Sequence, residues 1–148
     1  MSFKQWIEPE LLNQVDWIKK RNVTCQEWLN NHPDIISLDC SYFSIPEHKS
    51  FINEIINKSK IKLKGKGIEL GAGPGILSNS LIKIFPQIDV IYLLDIVPEI
   101  IPIQKKIAMF TGNENKIKSI LGSFDDLQLD DNSLDFVIAF DAIHHSNN

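Results

Sequence analysis

Two kinds of apolar spacing alternate along the chain from residue 61 onward. Apolar runs typical of buried strands lie at residues 61–70, 90–94, 116–121 and 134–140. Between them, apolar residues three or four positions apart are typical of helices: Ile76, Leu77, Leu81, Ile82 and Phe85, and then Ile100, Ile103, Ile107 and Phe110. Strands that alternate with helices predict an α/β fold with a Rossmann-like, doubly wound parallel sheet of at least four strands.

Residues 1–60 show helical signals instead. Pro9 suits the start of a helix, and an apolar stripe follows at Leu11, Leu12, Val15 and Ile18. Residues 24–27 and 44–47 both have the Ser/Thr-x-x-Glu form of a capping box. Trp6, Trp17 and Trp28 recur every eleven residues, and we interpret them as anchors of separate short helices. The sequence thus predicts an N-terminal helical cap or lid segment, residues 1–60, before a sheet domain, residues 61–148.

A glycine-rich turn follows the first predicted strand. It has the form Glu69-x-Gly71-x-Gly73-x-Gly75, and the second predicted strand ends at Asp95, twenty residues later. Glycine lets the backbone take φ > 0 and approach a ligand closely, and an acidic residue at the end of the second strand can accept hydrogen bonds from ribose hydroxyls. Ile76 stands where the dinucleotide-binding pattern needs its third glycine, which disfavours a nicotinamide-dependent oxidoreductase. The turn resembles the first motif of class I S-adenosylmethionine methyltransferases.

A second stretch, residues 122–135, strengthens this resemblance. It is similar to the loop and fourth-strand entry of the broad small-molecule (type 11-like) methyltransferase family, with these matching residues: Gly122, Leu127, Asp131, Asn132, Ser133 and Asp135. It departs from the family at Ser123, where an acidic residue usually reaches the adenine amino group. Serine has a shorter side chain and is a weaker acceptor.

The resemblance implies a role for each matching residue. Glu69 closes the first strand beneath the cofactor, while Gly71, Ala72, Gly73 and Gly75 let the backbone approach its methionine and ribose portions. Asp95 holds the ribose hydroxyls and Ile96 packs on the adenine. Ser123 and Phe124 contribute through backbone and packing, and Phe140 faces the methionine end. His144 and His145 fall where a general base would lie, but no catalytic residue is assigned, and no metal site is expected.

Composition limits the classes of partner. The chain has 148 residues, 43% of them hydrophobic, and a net charge of −4, which gives no broad attraction to nucleic acid or membrane. Five alternating lysines between residues 58 and 66 are interpreted as a solvated face. Cys25 and Cys40 form no CxxC motif, and residues 1–6 lack the apolar core of a signal peptide, so we expect a cytoplasmic protein.

Two functional hypotheses follow. The first is S-adenosyl-L-methionine-dependent methyl transfer to a small-molecule acceptor. The second is a non-catalytic, methyltransferase-like module that binds a nucleoside ligand or a partner chain. The resemblance implies a seven-stranded fold of which this chain supplies the first part, so we expect the C-terminal part to be missing. An uncovered fourth strand would then be an apolar edge through which the chain can form a homo-oligomer.

Overall fold

The computed structural model describes residues 4–6, 27, 30–31, 46–140 and 142–145. Within them, the strands are β1 (Lys4–Gln5), β2 (Gly65–Leu70), β3 (Ile88–Asp95), β4 (Ile117–Leu121) and β5 (Phe136–Ala139). The helices are α1 (Pro46–Ser59), α2 (Ile76–Ile84) and α3 (Ile100–Thr111), and a short 3-10 helix covers Ile143–His145. The predicted alternation of strands and helices from residue 61 onward is confirmed.

The five strands form one sheet in the order β1-β4-β3-β2-β5, and every neighbouring pair is parallel. All strands therefore end at the same edge of the sheet, which we call the carboxyl edge. The strand order reverses at β2, because β3 and β4 follow on one side of it and β5 lies on the other. Open α/β sheets bind ligands at their carboxyl edge, near such a reversal.

Apolar side chains pack in two clusters. One joins Leu81 and Ile82 of α2 and Ala108 of α3 to buried strand residues, among them Ile91 and Leu93. The other is centred on Ile68, Leu94 and Ile120, with Trp6, Tyr92 and Phe124 packed against it. Consecutive residues of a strand point to opposite faces, so Leu93 and Leu94 belong to different clusters. The sheet is thus covered by side chains on both faces.

The N-terminal strand corrects the sequence analysis, which assigned residues 1–60 to helices. Lys4 and Gln5 instead pair with Ile120 and Leu121 of β4. The Trp6 N–H donates to the Leu121 carbonyl oxygen at 2.7 Å and extends this pairing. The edge of β4 offers backbone hydrogen-bond partners, and these determine the local conformation more strongly than helical signals further along the chain.

Some of the other predictions for residues 1–60 are confirmed, and the rest concern residues that the structure does not describe. The helix α1 confirms the helical signal at residues 44–47, with Pro46 as its first residue, and Glu27, Asn30 and Asn31 are helical as predicted. The stripe from Leu11 to Ile18 lies outside the described residues, and so do Cys25, Cys40 and the predicted closure of a lid.

Element boundaries differ from the sequence prediction by a few residues. The first predicted strand begins at Gly65 rather than residue 61, and Ile61 is 47% exposed. The five lysines before and within this strand are all exposed, which confirms them as a solvated face. Gly112 ends α3 in the left-handed conformation, and Phe110 is exposed although it continues the predicted apolar spacing of this helix. The segment 60–64 stays outside the sheet because it has no partner strand there among the described residues.

No helix in the described parts of the chain combines the length and the apolar character needed to cross a membrane.

Candidate cofactor-binding site

The glycine-rich turn leaves β2 at the carboxyl edge and leads into α2. The Ala72 N–H donates to the Leu94 carbonyl oxygen of β3 at 3.0 Å, which holds the turn against the neighbouring strand. Gly75 caps α2 with φ +79, and a Cβ atom there would lie only 2.4 Å from Leu93 Cδ1. Gly75 is therefore required both by its backbone conformation and by close packing.

Asp95, the last residue of β3, is bonded to this turn. Its Oδ2 accepts a hydrogen bond from the Gly73 N–H at 2.8 Å, and its Oδ1 accepts one from the Val97 N–H at 3.0 Å. The residue is only half-buried. These two backbone hydrogen bonds orient the Asp95 carboxylate at the edge of the turn.

The space next to this contact is open among the described residues. A Cβ atom at Gly73 would meet none of their atoms within 4 Å, whereas one at Gly71 would lie 2.7 Å from Ala142 Cβ. The turn is therefore packed on both flanks and accessible at its centre. The accessible centre lies directly beside the Asp95 carboxylate, where the sequence analysis expects a ribose.

Glu69 lies deeper, at 4% exposure, one residue before the end of β2. Its carboxylate accepts hydrogen bonds from the Ser78 hydroxyl and from the Ser78 N–H in the first turn of α2. Burial away from water raises the pKa of Glu69 from 4.5 to about 7, and the charge of Asp95 adds to this rise, while the bonds from Ser78 oppose it. Glu69 therefore links β2 to the amino end of α2 from beneath the turn.

Two buried carboxamides hold the carbonyl groups of the turn, and the sequence analysis missed both. The Asn79 side chain donates to the Gly75 carbonyl oxygen at 2.8 Å, and the Gln104 side chain donates to the Gly73 carbonyl oxygen at 2.8 Å. Asn79 also accepts hydrogen bonds from Thr111 and Asn113. The sequence does contain a signal for Gln104. This residue lies four positions from both Ile100 and Ala108, so it is a polar residue within the apolar stripe of a helix.

The segment after β4 forms a further wall. The Gly122 N–H donates to the Asp95 carbonyl oxygen at 2.9 Å, and Ser123 Oγ accepts from the Asp125 N–H at 3.1 Å. The Phe124 ring packs on the cluster around Leu94 and lies 3.9 Å from the position of a Cβ atom at Gly71. Ser123 and Phe124 therefore lie at the carboxyl edge with Asp95, and Ile96 is half-buried next to it in the chain.

The remaining predicted residues follow β5. Phe140 is 44% exposed and His144 is exposed, while Ala142 between them is buried against Gly71. The side chain of His145 lies outside the described residues. Trp6, which the sequence analysis did not connect with the site, packs against Gly122 at the carboxyl edge. Among the residues that the structure describes, no three His, Cys, Asp or Glu side chains are placed to hold a metal ion.

The family comparison matches residues 68–148 to the methyltransferase domain. This match covers more than half of the chain and includes all of the predicted site residues, from Glu69 to His145. The chain belongs to the methyltransferase domain family. The predicted resemblance is thereby confirmed, and so is the expected enzyme class at the level of the family.

Solved structures of methyltransferases share the fold of this domain. A Methanococcus maripaludis protein assigned as an S-adenosyl-L-methionine-dependent methyltransferase has 21% identity and a TM-score of 0.63, over 86% of this chain and 53% of that one. A Galdieria sulphuraria protein assigned as a sarcosine dimethylglycine methyltransferase has 28% identity and a TM-score of 0.59, over 71% and 39%. A Thiobacillus denitrificans methyltransferase in complex with S-adenosyl-L-homocysteine has 18% identity and a TM-score of 0.52, over 66% and 37%.

The chain spans about half or less of the length of these solved structures. No sequence among the curated proteins is similar enough to be matched to it.

The residues of this methyltransferase domain fit S-adenosyl-L-methionine, the cofactor expected for the family. The observation that tests the fit is the open space at Gly73, which lies beside the half-buried Asp95 carboxylate. Ribose hydroxyls are hydrogen-bond donors, and the Asp95 carboxylate is a hydrogen-bond acceptor, which matches them. Asp95 and the turn at residues 71–75 would hold the group.

Proposed function

We propose that the chain forms the cofactor-binding part of an S-adenosyl-L-methionine-dependent methyltransferase that acts on a small molecule. One observation carries the proposal: the Asp95 carboxylate at the end of β3 is bonded to Gly73 at the open centre of the glycine turn. This arrangement combines an oriented acceptor with a backbone that a ligand can approach closely.

Each residue around the opening then has a binding task. Asp95 accepts hydrogen bonds from the ribose hydroxyls, Ile96 and Phe124 pack against the adenine, and Gly71 and Gly73 lie along the methionine and ribose portions. When bound, the cofactor supplies a methyl group on a positively charged sulfur. Transfer of such a group depends mainly on positioning, so the residues described here contribute by fixing the cofactor in place.

A small-molecule acceptor is favoured by three observations. The net charge of −4 opposes binding to a nucleic acid, and the exposed lysines between residues 58 and 66 have no interleaved aromatic residues. The protein from Galdieria sulphuraria, at 28% identity, is named as a sarcosine dimethylglycine methyltransferase. Phe140 and His144, both exposed after β5, are the described residues that we expect on the acceptor side.

The proposal is tested by calorimetric titration of the chain with S-adenosyl-L-methionine and S-adenosyl-L-homocysteine. We expect saturable binding that Asp95→Ala weakens at least about tenfold, because hydrogen bonds to a charged acceptor contribute roughly 1.5–3 kcal/mol. Asp89→Ala is the matched control, since Asp89 lies exposed in the same strand β3 and its replacement removes the same charge.

Equal binding by Asp95→Ala and the wild-type chain would contradict the role of Asp95. No binding by a folded wild-type chain would contradict the proposed cofactor site as a whole. Titration with NADH separates the two nucleotide classes, and saturable NADH binding without S-adenosyl-L-methionine binding would favour an oxidoreductase instead.

A further inference from the structure

Gln104 is a buried polar residue on the apolar side of α3. It has no exposed surface, and its neighbours along the helix, Ile103 and Ile107, are also buried. Its Nε2 donates a hydrogen bond of 2.8 Å to the Gly73 carbonyl oxygen, thirty-one positions earlier in the chain. Its Oε1 has no hydrogen-bond partner among the described residues.

Packing alone does not explain a glutamine at this position. A buried acceptor without a partner is unfavourable, because it gives up its hydrogen bonds to water and gains none in return. An apolar side chain of similar volume would fill the same space without that loss. The favourable contribution of Gln104 must therefore come from the hydrogen bond that its Nε2 atom donates to the Gly73 carbonyl oxygen.

The hydrogen bond from Nε2 is the second of two side-chain hydrogen bonds that hold the backbone of Gly73. The Gly73 N–H is bonded to Asp95 Oδ2, and the Gly73 carbonyl is bonded to Gln104. Gly73 has φ +51, and among the described residues no atom lies within 4 Å of the position that a Cβ atom would take there. A glycine rotates more freely than any other residue, and these two hydrogen bonds are what orients it.

We infer that Gln104 is a positioning residue for the cofactor site: it holds Gly73 so that the open centre of the turn and the Asp95 carboxylate keep the arrangement that a ribose needs. The inference rests on the proposed function for the identity of the ligand. No residue of α3 is predicted to contact the cofactor, but through Gln104 this helix holds the glycine-rich turn in place.

The first experiment compares Gln104→Met with the wild-type chain. Methionine has a similar volume but no hydrogen-bond donor. Ile107→Val is the matched control, because Ile107 is buried in the same helix and this change loosens packing without touching the turn. Two quantities are measured: the hydrogen-exchange rate of the Gly73 amide by NMR without ligand, and the affinity for S-adenosyl-L-homocysteine by calorimetry.

We expect Gln104→Met to speed exchange of the Gly73 amide about tenfold and to weaken ligand binding about fivefold, which is the size of one net hydrogen bond. Ile107→Val should change neither quantity beyond its effect on global stability. Equal Gly73 exchange and equal affinity in Gln104→Met and Ile107→Val would overturn the inference.

A second variant, Gln104→Glu, tests the donor itself. A protonated carboxyl group can donate to the Gly73 carbonyl oxygen, whereas an ionised one cannot. Compared with the wild-type chain at the same pH, we expect this variant to protect the Gly73 amide at acidic pH and to lose that protection at alkaline pH. Protection that is the same at both pH values would overturn the inference.

The two measurements also separate this inference from the proposed function. If the folded wild-type chain binds no S-adenosyl-L-homocysteine, the proposed function fails and so does the link to a ribose. If the wild-type chain binds the ligand and Gln104→Met binds it equally well, only the positioning role of Gln104 fails.

Discussion

Glu69 is the residue whose charge depends most directly on the fold. Its carboxylate is enclosed between β2 and α2, where burial raises its pKa to about 7 from 4.5. Between these two values, the folded chain holds a proton that the unfolded chain releases. Folding is therefore favoured by acid in this range, and the contribution of Glu69 to stability is lost as the pH rises through about 7.

This predicts a specific pH dependence of the free energy of unfolding. Between pH 4.5 and 7.5, the wild-type chain should lose up to about 3 kcal/mol relative to Glu69→Gln, which has no proton to release. Urea unfolding at several pH values measures the difference. Glu99→Gln, at an exposed position, serves as the control and should follow the wild-type curve. A constant difference between wild type and Glu69→Gln would contradict the prediction.

Some residues of the site could be predicted from sequence because their signal is local. Gly75 needs a positive φ within a short strand-turn-helix pattern, and Asp95 ends an apolar run, so both are recognisable without knowing their neighbours. Gln104 and Asn79 could not be assigned in this way. Their function depends on which carbonyl groups they meet, and for Gln104 that partner is fixed only when α3 packs beside the turn.

At the scale of elements, the pairing of β2 with β5 depends on small residues opposite large ones. The Phe136 ring lies across Gly67, where a Cβ atom would approach the ring within 2.1 Å. Next to it, Asp135 Oδ2 accepts a hydrogen bond of 2.7 Å from the Lys66 N–H, and the Asp135 N–H donates to the Lys66 carbonyl oxygen at 2.8 Å. Asp135 thus closes the beginning of the β2–β5 ladder.

We expect Asp135→Ala to lower the free energy of unfolding by about 1 kcal/mol, because it leaves the Lys66 N–H without its side-chain acceptor. Asp131→Ala is the matched control, since Asp131 lies exposed in the preceding turn and its replacement should change stability by less than about 0.5 kcal/mol. Urea unfolding of both variants provides the comparison. Equal losses in the two variants would show that Asp135 has no special role in the ladder.

The elements themselves were largely predictable, and the exception has a physical cause. The helices α2 and α3 and the strands β2 to β5 carry apolar patterns long enough to be distinguished by their period. The strand β1 consists of Lys4 and Gln5, two polar residues without any period. Only the backbone of β4 makes them a strand, and no pattern in the first residues contains that information.

For the whole molecule, the place of β5 in the sheet of the described residues bears on how the chain can associate. β5 lies at one edge of the sheet, and Val137 in it is 59% exposed. An exposed, apolar edge strand is a template for pairing with another chain. We therefore propose that the chain associates with a second copy through β5.

Val137→Lys should weaken this association, raising the dissociation constant by about tenfold, because a lysine on an edge strand disfavours pairing. Sedimentation velocity over a range of concentrations measures the effect. Met109→Lys introduces the same charge at an exposed position of α3 and should leave the association unchanged. If wild type, Val137→Lys and Met109→Lys sediment alike, β5 is not the surface of contact.

The opposite edge of the sheet has a consequence for the order of folding. Lys4 pairs with Ile120, so β1 can pair with β4 only after more than a hundred further residues have been synthesised. Closing so long a loop is entropically unfavourable, and contacts between distant positions slow the search for the native topology. On the ribosome, where the chain grows by about 5–20 residues per second, β1 emerges well before β4 and must wait for the strand with which it pairs.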